Sequence, residues 1–179
     1  MSARNKSRWR RWLLEALVFV AILYGLQLWM AREMISGNAP ALVAMDLNER
    51  VVDLAVQKEP TLVYFWATWC PICKLMDSDI AAIAQDHRVI TIAMQSGGAD
   101  EIRQHLAERG LQLTTLSDPE GQLARQWGVQ AVPAAFVVLP NRAIFSKTRG
   151  YSTEIGLRAR LWWAKLQTAS NPSVNPAPN

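Results

Sequence analysis

A continuous apolar, β-favouring run over Thr61–Ala67 does most to constrain the fold, because a pair of cysteines begins three residues after it. A run of this kind predicts a central strand that is buried on both faces. Cys70-Pro71-Ile72-Cys73 follows, and apolar residues at helical spacing come next. Pro71 is compatible with the first turn of a helix, where its missing N–H has no helical partner anyway. The chain is therefore predicted to pass from a buried strand, through the cysteine pair, into a helix.

The other segments alternate between strand and helix patterns. Turn-type residues between Leu42–Met45 and Val51–Leu54 predict a hairpin. Further strands are predicted at Arg88–Met94, Leu111–Leu116, Phe136–Leu139 and Ala143–Thr148, and further helices from Asp100 to Arg109, over Gln122–Trp127 and over Glu154–Gln167. Strands that alternate with helices before a final hairpin and helix indicate an α/β fold with a mixed sheet.

Cys70 and Cys73 carry the chemistry that the sequence predicts. Residues i and i+3 share a face of a helix, so the two sulfurs can close a small disulfide ring. The start of the helix places free N–H groups and the positive end of the dipole beside Cys70. This position favours the Cys70 thiolate as the nucleophile of thiol–disulfide exchange. Cys73, one turn into the helix, is predicted to be more buried and to act as the resolving thiol.

Other uses of the cysteine pair are also open. A purely structural disulfide would ordinarily join distant segments, because so short a loop restrains little of the unfolded chain. A closed metal site needs two more ligands, and both histidines, His87 and His105, are predicted to be solvated. We therefore expect no metal site and no cofactor besides the redox-active Cys70–Cys73 pair. The alternative function is a tethered metallochaperone that holds Cu(I) with the same two cysteines.

Two segments resemble the thioredoxin superfamily: Phe65–Cys73, with the sequence FWATWCPIC, and Asp118–Val138, with the sequence DPEGQLARQWGVQAVPAAFVV. The resemblance covers residues 40–166. Within the superfamily, the chain is similar to the membrane-tethered TlpA/ResA-like oxidoreductases of bacterial envelopes, and among these to the ScsD-like branch. The resemblance implies a thioredoxin fold with an added N-terminal hairpin and a helical insertion.

The resemblance also implies roles for individual residues. Cys70 corresponds to the attacking cysteine and Cys73 to the resolving one, and Trp69 is expected to lie against the disulfide. Pro133 matches the cis-proline of the family, and Val132 before it can offer backbone groups to an extended substrate strand. The implied partners are protein thiol or disulfide substrates and an upstream redox partner in the envelope.

Two residues depart from the family pattern. Met76 stands where many members carry a glutamate, three residues after the second cysteine. Tyr64 stands where thioredoxins carry an acid, six residues before the first cysteine. A buried carboxylate near the site would help to move the proton of the resolving thiol. Water or a backbone group is expected to serve in its place, and the direction of exchange stays open.

Three further tryptophans are predicted to be packing groups. Trp66 belongs to the buried run, and Trp162 and Trp163 lie next to each other in the last predicted helix. Adjacent positions on a helix cannot both face the active site, so packing is the simpler interpretation. Lys74 is predicted to be a solvated helix charge.

A second apolar run, over residues 13–31, predicts a membrane anchor. It contains a single charge, Glu15, and its 19 residues would span roughly 28 Å as a helix, close to the thickness of a bilayer core. Five basic residues lie in the first eleven positions, which predicts that residues 1–12 are cytoplasmic and that the domain faces the periplasm. A cleaved signal peptide is the alternative. Either would place the cysteines where disulfides can persist.

Charge excludes a nucleic-acid partner. The 179 residues include 19 Lys and Arg against 15 Asp and Glu, but the excess lies at the N-terminus. A neutral domain offers no electrostatic footprint for nucleic acid. The predicted organisation is a basic N-terminus (1–12), a transmembrane helix (13–31), a linker (32–41), a thioredoxin-like domain (42–167) and a disordered tail (168–179). The sequence thus predicts a single-pass protein of the bacterial inner membrane, with a role in copper-stress tolerance or cytochrome c maturation.

Overall fold

The computed structural model describes Trp9, residues 11–22, Gly25 and residues 32–170. The chain divides into two compact units, Met1–Arg32 and Glu33–Asn179. Residues 11–22 are helical. Among the described residues, no helix has both the length and the apolar character needed to span a bilayer. The predicted anchor over 13–31 lies partly outside the described residues and stays a prediction.

The second unit alternates strands with helices in the predicted order. Its elements are β1 (Val43–Met45), β2 (Val51–Asp53), β3 (Thr61–Trp66), α1 (Pro71–Asp86), β4 (Arg88–Met94), α2 (Ala99–Glu108), β5 (Thr115–Asp118), α3 (Gln122–Gln126), β6 (Ala134–Val138), β7 (Ile144–Arg149) and α4 (Glu154–Ser170). The predicted α/β class is confirmed.

The central sheet has the strand order β5-β4-β3-β6-β7. β3 and β5 run parallel to β4, whereas β6 runs antiparallel to both β3 and β7, so the sheet is mixed as predicted. β1 and β2 form a separate antiparallel ribbon, which is the predicted hairpin. Between β4 and β6 the chain forms α2, β5 and α3.

The sheet packs on both faces, because every residue of β3 is buried. On one face, Leu62, Tyr64 and Trp66 join a core cluster with residues of α1, α2 and α4. On the other face, Phe65 contacts the rings of Trp127 and Phe136. Because β3 is packed on both faces, the position of its carboxyl end is fixed. α1 begins five residues after that end.

Within the segment predicted to be a linker, residues 32–41, the part from residue 33 onward belongs to the domain and packs on it. Met34 and Ala39 are each 2% exposed. The backbone N–H of Ile35 donates to the carbonyl of Trp127 at 3.2 Å, and the Lys147 ammonium donates to the carbonyl of Met34. The linker prediction was wrong because the polar composition of the segment concealed a single large apolar side chain that enters the core.

The strand predicted over Leu111–Leu116 begins later, at Thr115. The N–H of Leu111 donates to the carbonyl of Leu106 at 2.9 Å, which closes the end of α2. The first residues of the predicted strand therefore belong to the helix-to-strand connection.

The closing helix extends further than predicted. α4 continues to Ser170, and the hydroxyl of the buried Thr168 donates to the carbonyl of Ala164 at 2.9 Å. The prediction that the disordered tail starts at residue 168 was therefore wrong for its first three residues. The rest of the tail lies outside the described residues.

Trp162 and Trp163 do not pack in the core as predicted. They are 61% and 66% exposed. α4 faces the core through a stripe at spacings of three and four, made by Leu157, Leu161 and Ala164. The 3.6-residue period carries both tryptophans away from that stripe.

Candidate active site

The first turn of α1 holds Cys70 and Cys73 in a disulfide. Cys70 is the N-cap residue of α1, and its sulfur accepts the backbone N–H of Cys73 at 3.1 Å. Pro71 follows at the start of the helix. The sulfur of Cys70 thus occupies the position where unpaired N–H groups and the helix dipole stabilise a negative charge.

Both cysteines are nearly inaccessible in this bonded state. Cys70 is 3% exposed and Cys73 is 1% exposed, so Cys73 is the more buried, as predicted, but by a small margin. Three apolar side chains around them are exposed: Trp69, Ile72 and Leu75. A polypeptide that approaches the disulfide would cover these side chains, and this burial would favour its binding.

The loop before β6 lies against Cys70. The Val132–Pro133 peptide bond is cis, as the resemblance implied. The carbonyl oxygen of Val132 is 3.8 Å from the sulfur of Cys70, and the N–H of Gly150 donates to the carbonyl of Pro133 at 2.8 Å. The structure therefore brings together residues that are 62 positions apart in the chain. Their role in substrate binding stays a prediction.

The segment just before Cys70 is held by the loop after β4. The indole N–H of Trp69 donates to the carbonyl of Gln95 at 2.9 Å. The hydroxyl of Ser96 accepts the N–H of Thr68 at 3.1 Å and donates to the carbonyl of Met94 at 3.0 Å. Ser96 was not predicted from the sequence. The only signal for Ser96 was its place in a polar loop after β4. Because β4 runs parallel to β3, the two strands end at the same edge of the sheet.

Replacing Ser96 with alanine is expected to lower the free energy of unfolding by about 1–3 kcal/mol, because the Thr68 N–H would lose its acceptor beside a buried side chain. Urea unfolding of the oxidised protein measures this change. Ser170→Ala is the matched control, since the Ser170 hydroxyl bonds to the carbonyl of Gln167 at an exposed helix end. Equal changes in the two variants would contradict a special role of Ser96.

Tyr64 and Met76, which depart from the family pattern, contact each other. The Tyr64 hydroxyl lies 3.9 Å from the sulfur of Met76, and both side chains are buried. Burial, followed by the negative charge of Asp77, raises the pKa of Tyr64 well above its usual range. The phenol therefore stays protonated at neutral pH and offers no base to the cysteine pair.

A buried carboxylate is nevertheless present on α1. Asp77 lies four residues after Cys73, on the buried face of the helix. The guanidinium of Arg109 donates to Asp77 and to the carbonyl of Lys74 at 3.0 Å. Asp77 was not predicted from the sequence, although its spacing from Cys73 was a usable signal, because residues i and i+4 share a helix face. The Lys74 side chain is exposed, as predicted.

Trp66 is buried, as predicted, and its ring is 5.5 Å from that of His105. His105 is partly exposed, and its partial burial lowers its pKa and favours the neutral imidazole. Burial also lowers the pKa of His87, which follows α1 and is only partly exposed. Within the described residues, no group of three or more His, Cys, Asp and Glu side chains could hold a metal ion.

The mixed sheet, with a cysteine pair at the start of the helix that follows its central strand, defines a thioredoxin-like thiol:disulfide oxidoreductase. Comparison with protein families agrees with this class. The model of the AhpC/TSA family matches residues 35–146. The chain belongs to that family.

Curated relatives are similar over most of their lengths. A thioredoxin-like protein of Haemophilus influenzae is 30% identical over 133 residues, which cover 74% of this chain and 73% of the relative. The thiol:disulfide interchange protein DsbE of Allochromatium vinosum is 28% identical over 162 residues, which cover 86% of this chain and 84% of the relative.

Solved structures share the fold. A Chlorobium tepidum protein described as a thiol:disulfide interchange protein DsbE superposes with a TM-score of 0.65 at 21% identity, covering 73% of this chain and 98% of the other. A protein of Neisseria meningitidis described as a thioredoxin gives a TM-score of 0.65 at 21% identity, covering 80% and 100%. At this identity the likeness concerns the thioredoxin fold alone.

Proposed function

We propose that this protein is a membrane-anchored thiol:disulfide oxidoreductase of the bacterial periplasm, which exchanges disulfides with protein thiols through Cys70 and Cys73. The observation that carries the proposal is the position of the Cys70 sulfur. It accepts an N–H of the first turn of α1 and lies 3.8 Å from the carbonyl oxygen of Val132. The DsbE relative, whose name describes thiol:disulfide interchange, supports the proposal.

The reaction needs only the two sulfurs of the protein and those of the client. In the reductive direction, the Cys70 thiolate attacks one sulfur of a client disulfide, and the other client sulfur leaves as a thiolate. Cys73, as its thiolate, then attacks the Cys70 sulfur of this mixed disulfide. The Cys70–Cys73 disulfide forms and the client leaves with both thiols reduced. Two electrons have passed to the client, and the reverse sequence oxidises a dithiol.

The surroundings of Cys73 bear on where its proton goes. Tyr64 is buried and protonated, Met76 has no ionisable group, and Asp77 is already paired with Arg109. We therefore propose that the Cys73 proton passes to water or to a backbone group. An upstream redox partner in the envelope would restore the cysteine pair after each turnover.

The periplasmic location rests on residues 1–31. A cluster of basic residues precedes an apolar run of bilayer length, which supports a single inner-membrane span with a cytoplasmic N-terminus. Reporter fusions after residues 12 and 40 test this topology. A periplasm-active reporter is expected to work only at the second position, whereas activity at the first would overturn the topology.

Clients of cytochrome c maturation are the substrate class that we propose. The resemblance to the ScsD-like branch favours copper-stress tolerance as a second setting. A tethered Cu(I) metallochaperone would use the same two cysteines. The metallochaperone would bind copper stoichiometrically when reduced and would show little disulfide exchange. The following test distinguishes it from the proposed oxidoreductase.

Replacing Cys73 with serine is expected to trap clients. The variant can form the mixed disulfide through Cys70 but cannot resolve it. Full-length Cys73→Ser protein, expressed in its membrane host and separated without reductant, should carry covalent adducts that dithiothreitol releases. Mass spectrometry then identifies the clients and the linkage to Cys70.

The matched control is the double variant Cys70→Ser/Cys73→Ser, which lacks both sulfurs and should show no adducts. If the single variant also forms no reductant-sensitive adduct, although it is present at wild-type levels in the membrane, catalysis of disulfide exchange is excluded. Stoichiometric copper on the reduced wild type would then support the metallochaperone.

A further inference from the structure

Gln95 has a backbone conformation that its residue type disfavours. Its φ is 48°, in the left-handed region, where the Cβ of an ordinary L-residue is crowded. Among the described residues, two others that are not glycine have a positive φ, Glu49 and Arg142. Both lie in turns between paired antiparallel strands, where such conformations are common. Gln95 instead directly follows β4, in the loop that leads to α2.

Both backbone polar groups of Gln95 are bonded. Its N–H donates to the carbonyl of Asp118 at 2.9 Å, and its carbonyl accepts the indole N–H of Trp69 at 2.9 Å. The side chain of Gln95 is exposed, so burial of that side chain does not explain the conformation. A disfavoured conformation persists where the surrounding structure maintains it, and here it directs the carbonyl oxygen of Gln95 to Trp69.

Trp69 is the side chain on which this hydrogen bond acts. It directly precedes Cys70 and is 57% exposed, so packing alone leaves much of its ring without contacts. The bond to Gln95 restricts the orientation of the ring beside the attacking cysteine. A side chain that is already ordered loses less conformational freedom when a client covers it, and binding is stronger for that reason.

We infer that Gln95 is a positioning residue for disulfide exchange, whose left-handed backbone directs a carbonyl to the Trp69 indole and so fixes this ring as a preformed contact surface for the client. The inference rests on the proposed exchange of disulfides with protein clients. Gln95 acts here through its backbone. Residues that accept the left-handed conformation should therefore serve in its place, and residues that resist it should not.

The test measures the second-order rate constant with which pre-reduced, full-length protein reduces a synthetic peptide closed by one disulfide. Gln95→Val resists the left-handed conformation and should lower this constant by roughly threefold to tenfold, the cost of ordering one large side chain. Gln95→Asn and Gln95→Gly accept the conformation and should react within about twofold of wild type. Dithiodipyridine should react equally with wild type and all three variants, because so small a reagent does not need the Trp69 surface.

Trp69→Phe shows whether Gln95 acts through the indole. This variant keeps an aromatic ring but loses the N–H donor. It should lower the rate constant for the peptide by a factor similar to that of Gln95→Val, and the double variant should be no slower than either single one. If the two factors multiply in the double variant, Gln95 does not act through Trp69 and the inference is overturned.

Arg142→Val is the matched control, because it places the same β-branched side chain at a positive φ in the turn between β6 and β7. It should lose a similar free energy of unfolding in urea and reduce the peptide as fast as wild type. An equal loss of rate in Arg142→Val would overturn the inference, and so would an unchanged rate in Gln95→Val. If Gln95→Val does not fold, Gln95→Ala imposes a smaller penalty and should show the same pattern with a smaller loss.

The indole N–H of Trp69 distinguishes failure of the inference from failure of the proposed function. Its signal in ¹⁵N spectra of the full-length protein in detergent is assigned by its loss in Trp69→Phe. Gln95→Val should speed the exchange of this proton with solvent, whereas Gln95→Asn should not. If wild type reduces no peptide, the proposed function fails, and this exchange still reports whether Gln95 holds the ring. If the peptide is reduced but the exchange is equal in wild type and Gln95→Val, the inference alone is overturned.

Discussion

Replacing Cys70 with serine is expected to lower the rate of the first exchange step by at least roughly 10³-fold, because the thiolate is the nucleophile and a serine hydroxyl stays protonated at neutral pH. Cys73 should not substitute for it, since it is 1% exposed and lies one turn inside α1. The measurement mixes pre-reduced protein with dithiodipyridine and follows the released pyridinethione in a single turnover.

Cys73→Ser is the matched control, because both variants lose the same disulfide. That bond closes a loop of only a few residues, and the chain-entropy relation gives about 2 kcal/mol for it. The two variants should therefore lose similar stability in urea unfolding, while only Cys73→Ser keeps the fast first step. If Cys70→Ser reacts within tenfold of Cys73→Ser, then Cys70 is not the attacking cysteine.

The elements around the cysteine pair could be predicted because their signals are local. β4 has the predicted bounds, and α1 begins at Pro71 as predicted. A buried strand and an amphipathic helix each reveal themselves through the periodicity of apolar residues within the segment itself. Cys70 and Cys73, three positions apart, lie in the same short stretch as these two signals.

The partners of the pair come from distant parts of the chain. The cis bond at Val132–Pro133 could be expected only through the family resemblance, since most X–Pro bonds are trans. The support from Ser96 and the contact between Tyr64 and Met76 had no such motif. Contacts of this kind depend on strand order and register, which apolar periodicity does not specify.

The errors at the two ends of the domain have one physical origin. The segment around Met34 has a polar composition yet inserts one large side chain into the core, whereas Trp162 and Trp163 are large and apolar yet exposed. Composition averages over a segment, but burial is decided residue by residue through the direction of each side chain. Exposed aromatic residues and docked polar segments are therefore the features that composition describes least well.

Replacing Trp127 with alanine is expected to lower the free energy of unfolding by about 3–5 kcal/mol, in the range for removing a fully buried aromatic side chain. Trp127 has no exposed surface. Its ring lies 4.9 Å from that of Phe136 and 5.7 Å from that of Phe65. A cavity here would open between the sheet and the segment that leads into the cis-proline loop, so the variant should also exchange disulfides more slowly. Urea unfolding and the single-turnover assay measure the two effects.

Trp162→Ala removes the same side chain from the exposed face of α4 and should change the free energy of unfolding by less than about 1 kcal/mol, since surface substitutions away from special features have small effects. If Trp127→Ala does not fold, Trp127→Phe keeps an aromatic ring and should show a smaller loss of stability in the same direction. Equal losses of unfolding free energy in Trp127→Ala and Trp162→Ala would show that the ring cluster of Phe65, Trp127 and Phe136 does not stabilise this face of the sheet.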